Sequence, residues 1–85
     1  MKTNDRLNRA IREVVETQLR DLNPPETKET FDRLIEEGYS EEQARALIAF
    51  VVTSEMFEIL KYIRPYNHER FVEALRRLPE LPGEE

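Results

Sequence analysis

The sequence predicts an all-α fold: a compact bundle of about four helices built on a long central third helix. Three observations predict it. Apolar residues recur three and four positions apart along most of the chain, the period of a helix face. Two glycines and five prolines are the main interruptions in 85 residues, and most of them fall between the periodic stretches, as joints. Almost nowhere do β-branched and polar residues alternate as they would in a strand. A composition of 39% hydrophobic and 36% charged residues fits a densely charged globular domain and not a disordered chain. Residues 1–79 read as one helical domain and residues 80–85, with Pro82 and Gly83, as an irregular tail. At this size burial only just outweighs chain entropy, so self-association is an expected source of added stability.

The first helix is expected from Thr3 or Asn4 to about Leu22, with Leu7, Ile11, Val14, Val15, Leu19 and Leu22 on its apolar stripe. Asn23-Pro24-Pro25-Glu26 reads as a stop and restart, with Asn23 as cap, Pro24 at the first helical position and Glu26 reaching back. The second helix runs on to Glu37, anchored by Phe31, Leu34 and Ile35. Gly38 suits the left-handed residue that closes a helix, and Tyr39 is placed to fold back on Leu34. Ser40 with Gln43 forms a capping box for the next helix, with Tyr39 stapled onto Ala44. This explains Gly-Tyr-Ser between two acidic stretches as a helical corner; a phosphate cradle would need more glycines. The third helix spans Glu41 to about Ile63 and ends because Pro65 disfavours helical geometry at Arg64. Its apolar positions, Ala44, Leu47, Ile48, Val51, Val52, Met56, Ile59, Leu60 and Ile63, form so broad an arc that other helices must pack on it from several sides. Asn67 caps a short fourth helix from His68 to Leu78, with Phe71, Leu75 and Leu78 inward.

Charge and motif content narrow the function classes. Without cysteine there are no disulfides, thiolate metal sites or thiol nucleophiles. No signal peptide or membrane-spanning run is seen, so a cytoplasmic location is the default expectation and no membrane contact is implied. The net charge of −5 sits entirely in residues 23–43, where Glu26, Glu29, Asp32, Glu36, Glu37, Glu41 and Glu42 outnumber Lys28 and Arg33. Such a surface repels phosphate backbones and makes nucleic acid a disfavoured partner. The basic reserve is Lys2, Arg6, Arg9, Arg12 and Arg20 on helix one, which leaves a nucleic-acid accessory as a minor alternative.

Glu55 is the most informative single residue, because it falls among Ala44, Ile48, Val51 and Tyr62 in the middle of the apolar arc. An unpaired carboxylate there is costly. It must be bonded by an arginine, a tyrosine or Gln18, which interrupts the stripe of helix one in the same way, or else serve a ligand or metal together with Glu58. His68, the single histidine, reads as a solvent-facing first-turn residue: a zinc helix needs a second histidine where Val72 stands, and a di-iron bundle needs Glu-x-x-His, which neither Glu55 nor Glu58 provides. No catalytic set and no cofactor are implied. Phe50 and Phe57, seven residues apart and on the side shared with Thr53, Ser54, Lys61 and Arg64, lie off the main arc and need a cover of their own. Phe50, Phe57 and Lys61 are therefore the candidate interface: within a monomer helix four or the Leu81 tail could fold over the two rings, but the expected cover is a second copy in a homodimer, with an unidentified protein as a further possibility. Tyr62, Tyr66, Phe31 and Phe71 read as core or core rim.

The order NPPETKETFDRLIEEGYSEEQARALIAFVVTSEMFEIL…RPYNHERFVEALRRLP, residues 23–79, resembles a family of small uncharacterised bacterial helical domains. That family shows a Pro-Pro-Glu turn, a Gly-Tyr corner, an acidic position late in the long helix and a final helix of this kind. The resemblance implies an all-α fold and no particular activity. Similar sequences carry histidines where this chain has Glu42 and Ala46, so no metal site is carried over. Gly38-Tyr39 is also similar to the corner of ubiquitin-associated modules, but their helices are far shorter than the third helix here. The expectation is a non-enzymatic, self-associating or protein-binding helical domain, with a small-ligand or metal-binding domain using the helix-three carboxylates as the alternative.

Overall fold

Four helices follow one another in the computed structural model, which describes the backbone of residues 2–83 and the side chains of residues 5–83. They are α1 (Lys2–Asp21), α2 (Pro25–Glu36), α3 (Glu41–Tyr62) and α4 (His68–Arg77). No strand occurs among the described residues. The Lys2 side chain of the basic reserve and the last two residues of the tail lie outside them. Helix α3 packs on each of the other three, and α2 also touches α1 and α4. The core accordingly draws on all four: Ile11 and Val15 from α1, Leu34 from α2, Ala44, Ile48, Val51 and Val52 from α3, Phe71 and Leu75 from α4, and Leu78 just beyond it.

The corner between α2 and α3 has the geometry expected of its sequence. Glu37 is the C-cap, Gly38 follows at φ 107°, Gly38 N–H donates to the Ile35 carbonyl and Tyr39 N–H to that of Leu34. These paired bonds satisfy carbonyls that the helix end would otherwise leave open. Ser40 Oγ then accepts from Gln43 N–H at 3.0 Å and Gln43 Oε1 from Ser40 N–H at 2.9 Å, completing the capping box. A Cβ built on Gly38 would meet nothing within 4 Å, so a substitution there carries a conformational cost alone. Gly38→Ala is expected to lower stability by about 1 kcal/mol, read by chemical denaturation. An unchanged midpoint would show that the corner relaxes to another backbone conformation.

Three expected elements differ in detail. Helix α1 ends at Asp21 and Leu22 turns left-handed, so Leu22 points outward instead of closing the stripe. Leu7 and Val14 are exposed as well. Among the described residues of α1 only Ile11 and Val15, one turn apart on a single line, are buried, because α1 meets the bundle through a narrow seam. At the next joint Pro24, not Asn23, is the N-cap of α2, and no side chain bonds the helix start. Asn23 instead gives its N–H to the Gln18 carbonyl, and Thr27 N–H bonds the Pro24 carbonyl.

The largest difference is at the end of α3. Its arc is buried as far as Glu55, but Met56, Leu60 and Ile63 are exposed, Ile63 by 89%. Helix α3, at 22 residues, is nearly twice the length of α2 and more than twice that of α4, and its last turns extend past the packed layer. Tyr62, expected at the core or its rim, is half exposed for the same reason, and Tyr66, expected there too, is half exposed in the connection between α3 and α4. Ile63 closes the helix in left-handed geometry, φ 51° and ψ 49°, which is unfavourable for a β-branched residue. Ile63→Gly is thus expected to raise stability by about 0.5–1 kcal/mol, opposite in sign to Gly38→Ala. A loss of stability in the same denaturation experiment would show that the Ile63 side chain has a packing role.

Candidate interaction surface on the third helix

Helix α3 is apolar on two opposite faces. Projected at roughly 100° per residue, Ala44, Ile48, Val51, Val52 and Glu55 form the buried side. Ala46, Phe50, Thr53 and Phe57 lie about half a turn away from it. Phe50 is 46% exposed and Phe57 64%. Together with Thr53, Ser54, Lys61 and Tyr62 they border a shallow recess. The Thr53 hydroxyl donates to the Ala49 carbonyl at 2.9 Å, so this half-buried position turns no free donor toward the recess. Neither α4 nor Leu81 covers the two phenylalanines. Leu81 packs instead on the core, over a cleft that it shares with Val51, Glu55, Arg70 and Phe71. An aromatic pair left open on a rigid, centrally held helix is the kind of surface that marks a contact site.

On the opposite side, Glu55 is 8% exposed and fully engaged. Arg70 Nε donates to Oε1 at 3.0 Å and a terminal guanidinium nitrogen to Oε2 at 2.8 Å, a two-pronged bridge, and Asn67 N–H donates to Oε2 at 3.3 Å. Asn67 Oδ1 at the same time caps α4 by accepting from Arg70 N–H at 3.0 Å. The carboxylate therefore ties the first turn of α4 to the middle of α3. Its hydrogen bonds, acting against partial desolvation and assisted by the Glu55 and Glu58 charges, raise Arg70 above the ordinary arginine value. Burial, and then the Glu55 and Glu26 carboxylates, push the Tyr66 phenol above its ordinary 10.0 in the same neighbourhood.

The remaining site residues go separate ways. Glu58 lies 3.5 Å from Arg64 and lines, with Glu55, the cleft beside Leu81. Gln18 accepts from the buried Thr27 hydroxyl at 2.8 Å, joining α1 to α2 and leaving Glu55 alone. His68 is half exposed, with Nδ1 3.1 Å from the Tyr66 hydroxyl and Nε2 3.9 Å from Glu26 Oε1. Among the described residues no three acidic or histidine side chains group as metal ligands would. Sequence reasoning did not single out Arg70 as the partner of Glu55 or Thr27 as that of Gln18. For Arg70 a signal existed: it directly precedes inward-facing Phe71, and the short loop 63–67 keeps the start of α4 close to the last turns of α3.

Comparison of the chain with protein-family models, with curated proteins and with solved structures finds no match in any of the three. No helix among the described residues is long and apolar enough to cross a membrane.

Proposed function

We propose that this domain works through protein contacts and not through chemistry of its own, as a module that self-associates on the outer face of α3. One observation carries the reading: Phe50 and Phe57 stand open on a helix whose opposite face is anchored in the core. Covering each ring would remove apolar surface from water, a gain on the order of 1–2 kcal/mol per ring, and a twofold contact covers both rings of both copies at once. The carboxylate alternative draws no comparable support, since Glu55 is bonded by Arg70 and Asn67 and Glu58 by Arg64. The acidic exposed side of α2 stays free for a further partner in such an assembly.

Light scattering coupled to size exclusion tests this. The native chain is expected to shift from monomer mass to dimer mass with rising concentration. Phe57→Glu is expected to remain monomeric throughout while its stability changes by no more than about 0.5 kcal/mol, since the side chain is mostly exposed. A native chain that stays monomeric at every concentration, or a Phe57→Glu variant that dimerises equally well, would overturn the reading.

A further inference from the structure

The outer face of α3 also carries a charge order that bears on how two copies would meet. From one end to the other it presents Glu42, Ala46, Phe50, Thr53, Phe57, Lys61 and, just past the helix, Arg64. Within the helix the steps from Glu42 to Lys61 are four, four, three, four and four residues, the spacing that keeps a seam on one side of a helix. All but half-buried Thr53 are exposed. The seam is acidic at its beginning, aromatic in its middle and basic at its end.

The two charged ends are also available. Glu41 is held by Arg45, whereas Glu42 has no ion-pair partner among the described residues. Lys61 likewise has no carboxylate partner among them and lies over the Tyr62 ring, 5.5 Å from its centroid. Arg64 is held by Glu58, at 3.5 Å, and also lies over the Tyr62 ring, 5.1 Å from its centroid. A parallel pairing of two such helices would set Lys61 against Lys61 and Glu42 against Glu42, which is repulsive at both ends. Reversing one helix sets the basic end of each copy against the acidic end of the other.

The register follows from the positions. Phe50 and Phe57 are equally far from the midpoint between Thr53 and Ser54, and so are Ala46 and Lys61, and Gln43 and Arg64. A twofold axis at that midpoint places each Phe50 on the partner's Phe57, with the two residues of each copy about 10 Å apart along the helix. It also lays the Lys61 stem over the small partner's Ala46, with its ammonium and the Arg64 guanidinium directed to the partner's Glu42. Near the axis, the Thr53 hydroxyl is already satisfied by the Ala49 carbonyl and leaves no stranded donor.

Resting on the self-association reading above, we propose that α3 pairs with α3 of a second copy in antiparallel orientation, with the twofold axis beside Thr53 and Ser54 and the Glu42 and Lys61 ends in contact. The chain contains no cysteine, so disulfide mapping has no background. An equimolar mixture of Ala46→Cys and Lys61→Cys chains, oxidised under conditions where the native chain is dimeric, is expected to give mainly the mixed disulfide, resolved from the self-disulfides by mass. A Glu42→Lys variant is expected to dimerise severalfold more weakly, and Glu42→Lys/Lys61→Glu to recover most of that loss. Dimers that depend on Phe57 but yield mainly Lys61→Cys self-disulfides, or that ignore both charge reversals, would overturn the antiparallel seam while leaving self-association intact. A native chain that never exceeds monomer mass would overturn the self-association reading itself.

Discussion

Leu34→Ala is expected to lower the unfolding free energy by about 3 kcal/mol, within the range for truncating a fully buried leucine. Leu34 is completely inaccessible and belongs to the cluster that joins all four helices, while its carbonyl accepts the Tyr39 N–H that closes the corner. A cavity there has little chance to collapse, because α2 is held at one end by that corner and at the other by the buried Thr27 bonded to Gln18. For a domain of this size the total stability is roughly 5–10 kcal/mol, so the loss is a large share of it. The thermal midpoint should fall by roughly 15 °C. Leu60→Ala serves as the control: with 73% of its surface exposed, it should change stability by no more than about 0.5 kcal/mol. Equal effects at the two positions, in the same denaturation series at monomeric concentration, would mean that the core is not centred where the helices place it.

Arg70→Ala is expected to have the second largest effect, lowering the thermal midpoint by on the order of 10 °C. The variant would leave the Glu55 carboxylate buried with one backbone N–H in place of three donors. The effect should fall short of that at a fully buried pair, because the Arg70 side chain is 30% exposed and water screens part of the interaction. Removing both charges tests the cause. Glu55→Leu/Arg70→Met should recover much of the loss, since two apolar side chains of similar volume carry no desolvation cost. A double variant as unstable as Arg70→Ala would assign the loss to packing, not to the stranded charge. The pH dependence has a definite sign. Arg70 is raised above the ordinary arginine value, so its contribution is fully present below that ordinary value and is lost only as pH rises through the still higher folded-state value. The arginine therefore stays charged in this bridge from neutral to mildly alkaline pH.

Much of the bundle could be read from the chain because local rules and tertiary packing agree there. Gly38 needs a positive φ and Ser40 meets Gln43 across one turn, so that corner depends on few residues outside itself. Asn67 caps α4 for the same reason. Agreement fails at Asn23-Pro24-Pro25, where both prolines suit a helix start: the side-chain signal favoured Asn23 as cap and Pro24 as the first helical residue, whereas the structure uses Pro24 as cap and starts the helix at Pro25. It fails again along α1, where periodicity offered six apolar positions and packing buries only Ile11 and Val15 completely.

The candidate surface divides in the same way. That Glu55 lies inside the apolar arc and that Phe50 and Phe57 lie off it are matters of helical phase, which any 3.6-residue repeat makes readable. Which side chain meets Glu55, and whether anything covers the phenylalanines, depend on where α4 and the Leu81 segment come to rest. The exposure of Met56, Leu60 and Ile63 has a similar origin, since burial along an arc requires a neighbour as long as the arc itself.

By itself, then, the sequence determined the helical elements, most of their joints, the acidic character of residues 23–43 and the two-sided apolar nature of the third helix. These follow from short-range preferences and a fixed helical period. The tertiary structure alone decided that Arg70 and Asn67 satisfy Glu55, that Gln18 is spent on Thr27, and that Phe50 and Phe57 on the outer face of α3 stay exposed among the described residues. Those outcomes depend on contacts between residues distant in the chain, whose geometry is set by the way all four helices share one core.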